Sequence, residues 1–253
     1  MNINQDENLK IAHISDTHIS PFGWFVEESY DKMVEKINEI KPNLVIHSGD
    51  ITQDGLLEEY RFAQEKLKQI EAELVVIPGN HDGRNLGNTL YKDFFGKRQT
   101  TKRIEDMGIT VLDTTVPDIN EGRLGRAGQE FLEKSLFLYF GIVKIVSLHH
   151  HLIPIPEAGR ERNMIDDAGD VLKLITKNNV ELVLMGHRHV PYTTKVENTI
   201  MSNAGTLSSR KTRGYHGHSF TLIDLSKKSV ELKVIKLLEG KFTTEIVNKY
   251  QIA

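Results

Sequence analysis

The sequence predicts an α/β fold whose sheet has substantial parallel content. Apolar runs typical of buried strands alternate with amphipathic helix patterns through about residue 190 of the 253-residue chain, as in repeated βα units. Several of these runs end in glycine, carboxylate, amide or imidazole residues, so polar groups would gather at the carboxyl edge of the sheet. No low-complexity segment, internal repeat or linker interrupts the pattern, and we expect one domain over residues 1–253.

Two βα units make up the first part of the chain. A strand over residues 11–15 precedes a helix, because apolar residues recur at helical spacing over residues 26–40. The next strand covers residues 43–50 and ends at a glycine followed by an aspartate. Apolar positions within residues 56–70 predict a second helix, and residues 74–77 a third strand.

The middle of the chain repeats this alternation. Residues 108–113 and 142–148 read as strands, and residues 131–136 show one face of a helix between them. A helix over residues 167–178 and a strand over residues 182–185 follow. Beyond residue 190 the pattern changes to short strands joined by turns, which favours a second, largely antiparallel sheet packed on the first. A separate C-terminal module is the alternative, although no linker marks its start.

The composition restricts the kinds of site that this chain can build. It contains no cysteine and eleven histidines, so any metal must be held by nitrogen and oxygen ligands, and disulfides are excluded. The net charge is −3, which leaves no basic excess for binding nucleic acid. A small anionic substrate could still be held by metal ions.

The sequence gives no sign of a membrane partner. No apolar run approaches the length of a membrane span, and residues 1–10 are polar and acidic, unlike a signal peptide. We therefore expect a cytoplasmic protein. Whether the chain forms a homo-oligomer is left open by the sequence.

Five of the predicted strands end in residues suited to a site for two metal ions. Such a site needs nitrogen or oxygen ligands on both ions and one ligand that bridges them. Asp16 and His18 stand two residues apart at one strand end and would project on the same side. Asp50 follows a glycine, and its two carboxylate oxygens can bind two ions at once.

Three further strand ends supply complementary groups, and one of them, over residues 142–148, ends in His149-His150-His151. Asn80 offers a neutral amide oxygen, which limits the negative charge that faces an anionic phosphate. His187 and His189 are again two residues apart and could serve one ion each. Our hypothesis is that these strand ends converge on a dimetal site with Asp50 between the two ions.

The polar blocks occur in the order Asp-x-His, Gly-Asp, Gly-Asn-His-Asp, His-His and Gly-His-x-His over residues 16–189. Together they resemble the calcineurin-like metallophosphoesterase family. The resemblance implies a four-layer α/β/β/α sandwich of two mixed sheets, with a dimetal site at the C-terminal strand ends. It also implies the ligands: Asp16, His18, Asp50 and His189 for one metal, and Asp50, Asn80, His149 and His187 for the other.

The same resemblance implies a role for His81. This histidine would bind no metal, and it would contact a phosphoryl oxygen or protonate the leaving group. The implied reaction is phosphoester hydrolysis by attack of a hydroxide that bridges the two ions. Manganese or iron is expected as the metal, and zinc or cobalt would also suit these ligands.

Within the family, the chain is most similar to the class III cyclic-nucleotide and glycerophosphodiester phosphodiesterase branch. The compact length, the block at residues 148–151 and the segment over residues 122–132 carry this similarity. A proline often follows the histidines directly in that branch, whereas two other residues precede Pro154 here. Either His149 or His150 could therefore be the ligand, and we take His149 because it comes first after the strand.

The resemblance thus implies a dinuclear metal-dependent phosphodiesterase acting on small phosphodiesters, with cyclic nucleotides as one candidate class. Two alternatives stay open. One is a phosphomonoesterase with the same metals, and the other is a non-catalytic interaction scaffold of the same fold. The expected partner is a small phosphoester substrate rather than nucleic acid or a membrane.

Other polar and aromatic residues have more ordinary interpretations. His13 and His47 lie within apolar strands, which favours hydrogen-bonded core histidines. Arg84 follows the Gly-Asn-His-Asp block and could pair with phosphate, but a solvated surface arginine is favoured. Residues 22–25 could form an apolar wall for an organic leaving group or pack on their own helix, and residues 215–218 suggest a mobile loop at the mouth of the site.

Overall fold

The computed structural model describes residues 8–160, 164–213 and 216–252, without the side chains of residues 246 and 247. Twelve strands in this part of the chain form two six-stranded sheets. The strands are β1 (Leu9–Ile14), β2 (Leu44–His47), β3 (Glu73–Val76), β4 (Thr100–Ile104), β5 (Met107–Val111), β6 (Val143–Ser147), β7 (Leu182–Met185), β8 (Tyr192–Val196), β9 (Thr199–Asn203), β10 (His218–Leu225), β11 (Ser229–Leu238) and β12 (Lys241–Gln251).

Both sheets mix parallel and antiparallel strands. The first has the order β12-β11-β10-β1-β2-β3, and the second has the order β4-β5-β6-β7-β9-β8. Strands β1, β2 and β3 are parallel to one another, as are β5, β6, β7 and β9. The remaining neighbours pair antiparallel.

Five helices cover the outer faces of the two sheets in the described residues. They are α1 (Glu27–Ile40), α2 (Leu57–Leu67), α3 (Gly87–Phe95), α4 (Gly125–Leu138) and α5 (Ala168–Lys177). Helix α1 buries Tyr30, Met33 and Ile37 along one stripe. It ends at Lys41, which adopts a left-handed conformation and donates its backbone N–H to the Ile37 carbonyl before Pro42.

The apolar core lies in three layers. One lies between the first sheet and helices α1 and α2, one lies between the two sheets, and one lies between the second sheet and helices α4 and α5. Side chains on opposite faces of β1 pack in two of these layers. Leu9 and Ile11 face the second sheet, whereas Ala12 and Ile14 face the helices. The predicted four-layer α/β/β/α sandwich of two mixed sheets is confirmed.

The prediction that the C-terminal strands form a sheet of their own is wrong. Strand β10 pairs with β1 and leads β11 and β12 into the first sheet, whereas β8 and β9 extend the second sheet. The alternation in β10 fits this place, because Phe220 and Leu222 pack with the helix layer and Ile223 and Leu225 pack between the sheets. Such alternation identifies a strand without identifying its neighbour.

Several elements escaped the sequence analysis. Strands β4 and β8 lie at opposite edges of the second sheet and read TTKRI and YTTKV. Edge strands keep polar residues and so lack a clear apolar pattern. Helix α3 spans only nine residues, which is too short for a convincing helical period. None of the helices in the described ranges combines the length and apolar character that a membrane span requires.

The parallel strands bring the polar blocks to one edge of both sheets. Asp16 follows β1, Asp50 follows β2, Asn80 follows β3, His149 follows β6 and His187 follows β7. Backbone hydrogen bonds continue beyond the strands, since Asp16 N–H donates to the Gly49 carbonyl at 2.9 Å. The loops that carry the polar groups are therefore held in register like the strands that precede them.

Asp167 connects the two helices on the outer face of the second sheet. Its carboxylate accepts hydrogen bonds from the N–H groups of Leu124 at 3.0 Å and Gly125 at 2.8 Å, and from Gln129 Nε2 at 2.8 Å. Asp167 directly precedes α5 in the sequence. Its carboxylate nevertheless accepts hydrogen bonds from N–H groups at the start of α4 that have no partner within that helix. Burial raises the pKa of Asp167, but the three hydrogen bonds outweigh it and bring the pKa below its usual value.

We predict that Asp167→Ala lowers the free energy of unfolding by about 1–2 kcal/mol at neutral pH, as for a lost helix cap. The folded-state pKa of this carboxyl is depressed, so its contribution exists above the unfolded pKa and disappears as the pH falls through the folded one. Urea unfolding at pH 7 should show the full difference between the variant and the wild type, and the difference should shrink below about pH 4.

Asp170→Ala is the matched control, because it removes an exposed carboxylate from the first turn of α5. It should cost less than Asp167→Ala. Equal losses in the two variants would contradict the assigned cap.

Candidate metal centre

The predicted metal-binding residues lie together at the carboxyl edge of the two sheets. Two sets of side chains place one nitrogen or oxygen atom of each member within 4.8 Å of the others. The first donor group consists of Asp16, His18, Asp50 and His189, and the second donor group consists of Asp50, His149 and His187. Asp50 belongs to both groups, which is the property expected of a bridging ligand.

In the first donor group, two imidazoles and two carboxylates point at a common space. Nε2 of His189 lies 3.1 Å from Nε2 of His18 and 3.1 Å from Oδ1 of Asp16. Nε2 of His18 lies 3.6 Å from Oδ2 of Asp50. All four side chains are almost completely buried.

The second donor group gains an amide oxygen from Asn80. Oδ1 of Asn80 lies 2.9 Å from Nδ1 of His187 and 3.2 Å from Nε2 of His149. The same His149 nitrogen lies 3.3 Å from Oδ1 of Asp50. The two Asp50 oxygens thus face different groups, Oδ1 the second and Oδ2 the first.

These separations suit ligands of a common ion. Donor atoms about 2.1 Å from one ion, at angles of about 90–110°, lie about 3.0–3.4 Å apart. Most of the distances quoted above fall in or near this range, whereas His18 Nε2 lies farther from Asp16 Oδ1, at 4.0 Å. Asp16 Oδ1 is also buried and accepts no well-formed hydrogen bond from the described residues, which is unfavourable unless a cation compensates it. The chemistry and spacing of the donors therefore fit two metal ions.

Backbone carbonyls fix which imidazole nitrogen faces the centre. The Nδ1–H of His149 donates to the Ser48 carbonyl at 2.7 Å, and the Nδ1–H of His189 donates to the Lys211 carbonyl at 2.5 Å. Each bond holds the ring with Nε2 towards the donor groups. Outer hydrogen bonds of this kind orient metal-binding histidines and set their tautomer.

The residues of the donor groups carry backbone strain. Positive φ angles occur at Asp16 (54°), His18 (48°), Asp50 (55°), His187 (71°) and His189 (56°). Such angles are uncommon for residues with a Cβ atom and cluster at functional sites. Here they turn side chains that follow directly on a strand into one shared space.

The carboxylates of the centre are ionised. Burial raises the pKa of Asp50, but His149 and His81 outweigh it and hold the pKa well below its usual range. Burial also raises the pKa of Asp16, and His189 reverses this effect to give a pKa of about 2. Burial lowers the pKa of His149, but Asp50 raises it to about 9. A metal ion that takes the place of this proton would leave two carboxylates and neutral imidazoles as ligands.

Asp82 holds two of the ligand loops together. Its buried carboxylate accepts hydrogen bonds from the backbone N–H groups of Gly79, Ile51 and Thr52 at 2.8, 3.0 and 2.7 Å. Burial, reinforced by Asp50, raises the pKa of Asp82 to about 6. Asp82 stands beside His81 in the sequence motif. In the structure, its hydrogen bonds join the loop that carries Asp50 to the loop that carries Asn80.

The two histidines after β6 have different surroundings. His149 points between Asp50 and Asn80. His150 points away, with Nδ1 2.8 Å from Thr114 Oγ1 and Nε2–H donating to the Asn120 carbonyl at 3.1 Å. The geometry therefore favours His149 over His150 as a ligand.

His81 lies beside both donor groups without belonging to either. Its ring packs edge-on against His18 with 4.5 Å between the centroids, and its Nδ1–H donates to the Gln53 carbonyl at 2.5 Å. Nε2 is left for a ligand of the cavity. Burial, as the largest effect, lowers the pKa of His81 although Asp50 opposes it.

A cavity of about 360 Å³ opens onto the centre. Its walls combine residues of both donor groups with His81 and with cationic, amide and aromatic side chains. The further lining residues include Trp24, Gln53, Arg84, Asn120, Lys211 and Arg213.

The segment over residues 22–25 divides between two roles. Trp24 lines the cavity and is 53% exposed, whereas Phe25 is buried and packs on Tyr30.

Arg84 lines the cavity as well, so its interpretation as an ordinary surface arginine is wrong. Sequence could not show that its loop folds over the centre.

The sequence analysis missed the loop that follows β9. Thr206 Oγ1 donates to the Asp16 carbonyl at 2.6 Å, and Ser208 Oγ donates to the Thr17 carbonyl at 2.9 Å. These bonds hold the loop that carries Asp16 and His18. The available signal was Ala204-Gly205-Thr206 at the end of a predicted strand, which resembles the other strand ends but offers no metal ligand.

The remaining predictions concern histidines outside the donor groups. His13 and His47 are buried and hydrogen bonded, His13 Nε2 to Ser48 Oγ at 2.6 Å and His47 Nε2 to Thr17 Oγ1 at 2.9 Å. They are core histidines, as predicted. The loop predicted over residues 215–218 begins outside the described residues. Its last residue, His218, is instead the first residue of β10, and His218 Nε2 lies 3.0 Å from the Ser209 carbonyl oxygen.

Comparisons with known proteins reveal several relatives. A probable cyclic nucleotide phosphodiesterase of Xenorhabdus bovienii is 26% identical over 72% of this chain and 79% of the relative. A 3',5'-cyclic-nucleotide phosphodiesterase of a Nostoc species is 23% identical over 96% of this chain and 94% of the relative. A probable glycerophosphodiester phosphodiesterase of Arcobacter nitrofigilis is 32% identical over 57% of this chain and 58% of the relative.

Solved structures share the fold at low sequence identity. A purple acid phosphatase from yellow lupin seeds superposes with a TM-score of 0.73 at 16% identity, covering 98% of this chain and 54% of that one. The anchor in the inner membrane complex of Plasmodium superposes with a TM-score of 0.70 at 14% identity, covering 98% and 90%. A family model described as calcineurin-like phosphoesterase matches residues 9–191, more than half of the chain. The chain belongs to the calcineurin-like phosphoesterase family.

Proposed function

We propose that this protein is a dinuclear metal-dependent phosphodiesterase that hydrolyses small phosphodiesters, with cyclic nucleotides as one candidate class. The observation that carries the proposal is the pair of donor groups that share Asp50 and open onto one cavity. Relatives named as cyclic nucleotide and glycerophosphodiester phosphodiesterases support it.

Asp16, His18, Asp50 and His189 would hold one ion, and Asp50, Asn80, His149 and His187 would hold the other. We propose manganese or iron, and the nitrogen and oxygen ligands would also accept zinc or cobalt. Two such ions would supply a water of lowered pKa and positive charge to offset the charge of the phosphoryl group.

His81 would act on the phosphoryl group or on the leaving oxygen. Its Nδ1–H stays on the Gln53 carbonyl, so an added proton must reside on Nε2, which faces the cavity. A protonated Nε2 can stabilise the negative charge that develops in the transition state or pass its proton to the leaving group.

The cavity walls favour a phosphodiester. A diester carries one negative charge and two organic groups, whereas a monoester exposes more charge and only one such group. The half-exposed indole of Trp24 offers an apolar surface to the second organic group. Its backbone is held in a left-handed conformation with φ of 64°, and the Trp24 carbonyl accepts the N–H of Arg210 at 2.7 Å.

The interaction-scaffold alternative receives less support. A Plasmodium protein of this fold is described as an anchor, so the fold alone does not require catalysis. This chain, however, keeps a full set of nitrogen and oxygen donors in both groups and a histidine directed into the cavity. A scaffold would have no need for buried carboxylates that must be compensated.

With Mn²⁺ supplied, kcat/KM for bis(p-nitrophenyl) phosphate should exceed that for p-nitrophenyl phosphate by at least about tenfold, equivalent to about 1.4 kcal/mol of transition-state binding. Both esters release the same chromophore, which makes the comparison direct. The opposite ratio would instead support a phosphomonoesterase. Absence of bound metal together with absence of hydrolysis would support the scaffold.

Asp50→Asn and His81→Gln should separate metal binding from chemistry. Asparagine tolerates the left-handed backbone at position 50 but lacks the shared charge, so Asp50→Asn should weaken both ions and turnover together. His81→Gln should keep two ions per chain and lower kcat by about 10²–10⁴-fold. Metal analysis after dialysis, alongside steady-state kinetics, measures both effects. Two tightly bound ions in Asp50→Asn would show that the assigned bridge is wrong.

His149→Gln and His150→Gln form a matched pair of neighbouring substitutions. Because His149 faces the second donor group and His150 faces Thr114, only His149→Gln should reduce the metal content from two ions to one. Elemental analysis of the purified variants gives the ratio. Loss of an ion in His150→Gln with retention in His149→Gln would reverse the assignment.

A further inference from the structure

The side-chain amide of Asn80 must point the correct way to bind a cation. Its oxygen and nitrogen ends have nearly the same size, but only the oxygen has a free electron pair for a metal. In the structure, Oδ1 faces His187 and His149, and Nδ2–H donates to Oδ1 of Asn120 at 3.2 Å. A half-turn of this amide would place its NH₂ group against the second donor group.

Asn120 alone could not select this orientation, because its own amide could also turn. Arg84 removes that freedom. A guanidinium group has donors only, and Nη2 of Arg84 donates to Oδ1 of Asn120 at 2.9 Å. Asn120 must therefore present its oxygen to both Arg84 and Asn80.

Arg84 is fixed in turn by a group that can only accept. Its Nη1 donates to the carboxylate Oδ1 of Asp54 at 3.0 Å. Donor and acceptor roles are thereby determined at every step from Asp54 through Arg84 and Asn120 to Asn80. Because the Asn80 NH₂ group donates to Asn120, the Asn80 oxygen faces the second donor group.

We infer that Asn120 is a positioning residue that holds the Asn80 amide oxygen towards the metal of the second donor group. The inference rests on the proposed function, since it assumes an ion in that group. Among the described residues, the Asn120 side chain is hydrogen bonded to Asn80 and Arg84 and to no member of the first donor group, so we expect it to affect the ion of the second donor group alone.

The place of Asn120 does not depend on its own side chain. Its backbone carbonyl accepts Nε2–H of His150 at 3.1 Å. In the same loop, Asp118 Oδ1 accepts the backbone N–H of Asn85 at 2.8 Å. A substitution at position 120 can thus remove the contact to Asn80 while these two bonds continue to hold the loop.

Calorimetric titration of the chelator-treated protein with Mn²⁺ tests the inference. The binding event that is absent in His149→Gln identifies the ion of the second donor group. Asn120→Ala should weaken this event by about 10–100-fold, as for other lost outer-sphere contacts, and should leave the first event unchanged. Glu121→Ala is the matched control, because it removes an exposed side chain next to Asn120 while both bonds that hold the loop stay in place, and it should leave both events near the wild-type values.

Asn120→Asp should restore binding, because a carboxylate also accepts from Asn80 and Arg84. The added charge attracts both ions, so the readout is the ratio of the two dissociation constants, which should return to within a few-fold of the wild-type ratio. Thermal unfolding of each variant verifies that it is folded.

The inference is wrong if Asn120→Ala leaves the second event unchanged, if Glu121→Ala weakens it equally, or if Asn120→Asp fails to restore the ratio. A wild-type protein that binds no second ion would instead overturn the proposed function, and the inference with it.

Discussion

The burial of Asp50 between two sets of imidazoles is the constraint on which the rest of the centre depends. A carboxylate in this position is costly unless opposite charge and hydrogen bonds compensate it. The protein supplies the His81 backbone N–H at 2.9 Å and the His149 ring at 3.3 Å. The close packing at Gly49 belongs to the same arrangement, since an added Cβ there would lie 2.6 Å from His149 Nδ1.

The centre lies where the two sheets meet, and neither sheet can form it alone. The loops after β1, β2 and β3 carry Asp16, His18, Asp50 and Asn80, and the loops after β6 and β7 carry the other donors. Packing of the apolar layer between the sheets therefore sets the distances within both donor groups. Asp82, Thr206 and Ser208 then fix the loops by bonds to their backbones, which leaves the side chains of the two donor groups free to face a common space.

The sequence predicted those strands whose local pattern also shows where they lie in the fold. Strands β1, β2, β6 and β7 are apolar runs that end in polar residues, so both the strand and the position of its last residues could be read. Strands β4 and β8 were missed because these edge strands keep polar residues, TTKRI and YTTKV, and lack a clear apolar pattern. The neighbours of β10 could not be predicted, since its alternation would suit either sheet.

The same distinction applies to the centre. Asp16, His18 and Asp50 stand in motifs, whereas the choice between His149 and His150 depends on which ring reaches Asn80 across the sheets. Neither Asn120 nor Arg84 is part of a motif, and their roles depend on a chain of hydrogen bonds between loops that are distant in sequence. Such contacts depend on tertiary approach, for which a single sequence carries no local signal.

The left-handed backbone at five donor residues has a thermodynamic consequence. Each such residue costs about 1 kcal/mol or more, so together they approach the net stability of an ordinary domain, about 5–15 kcal/mol. Ions that bind only the folded chain would repay this cost through linkage. For this protein, ions that serve catalysis would then also contribute to the stability of the fold.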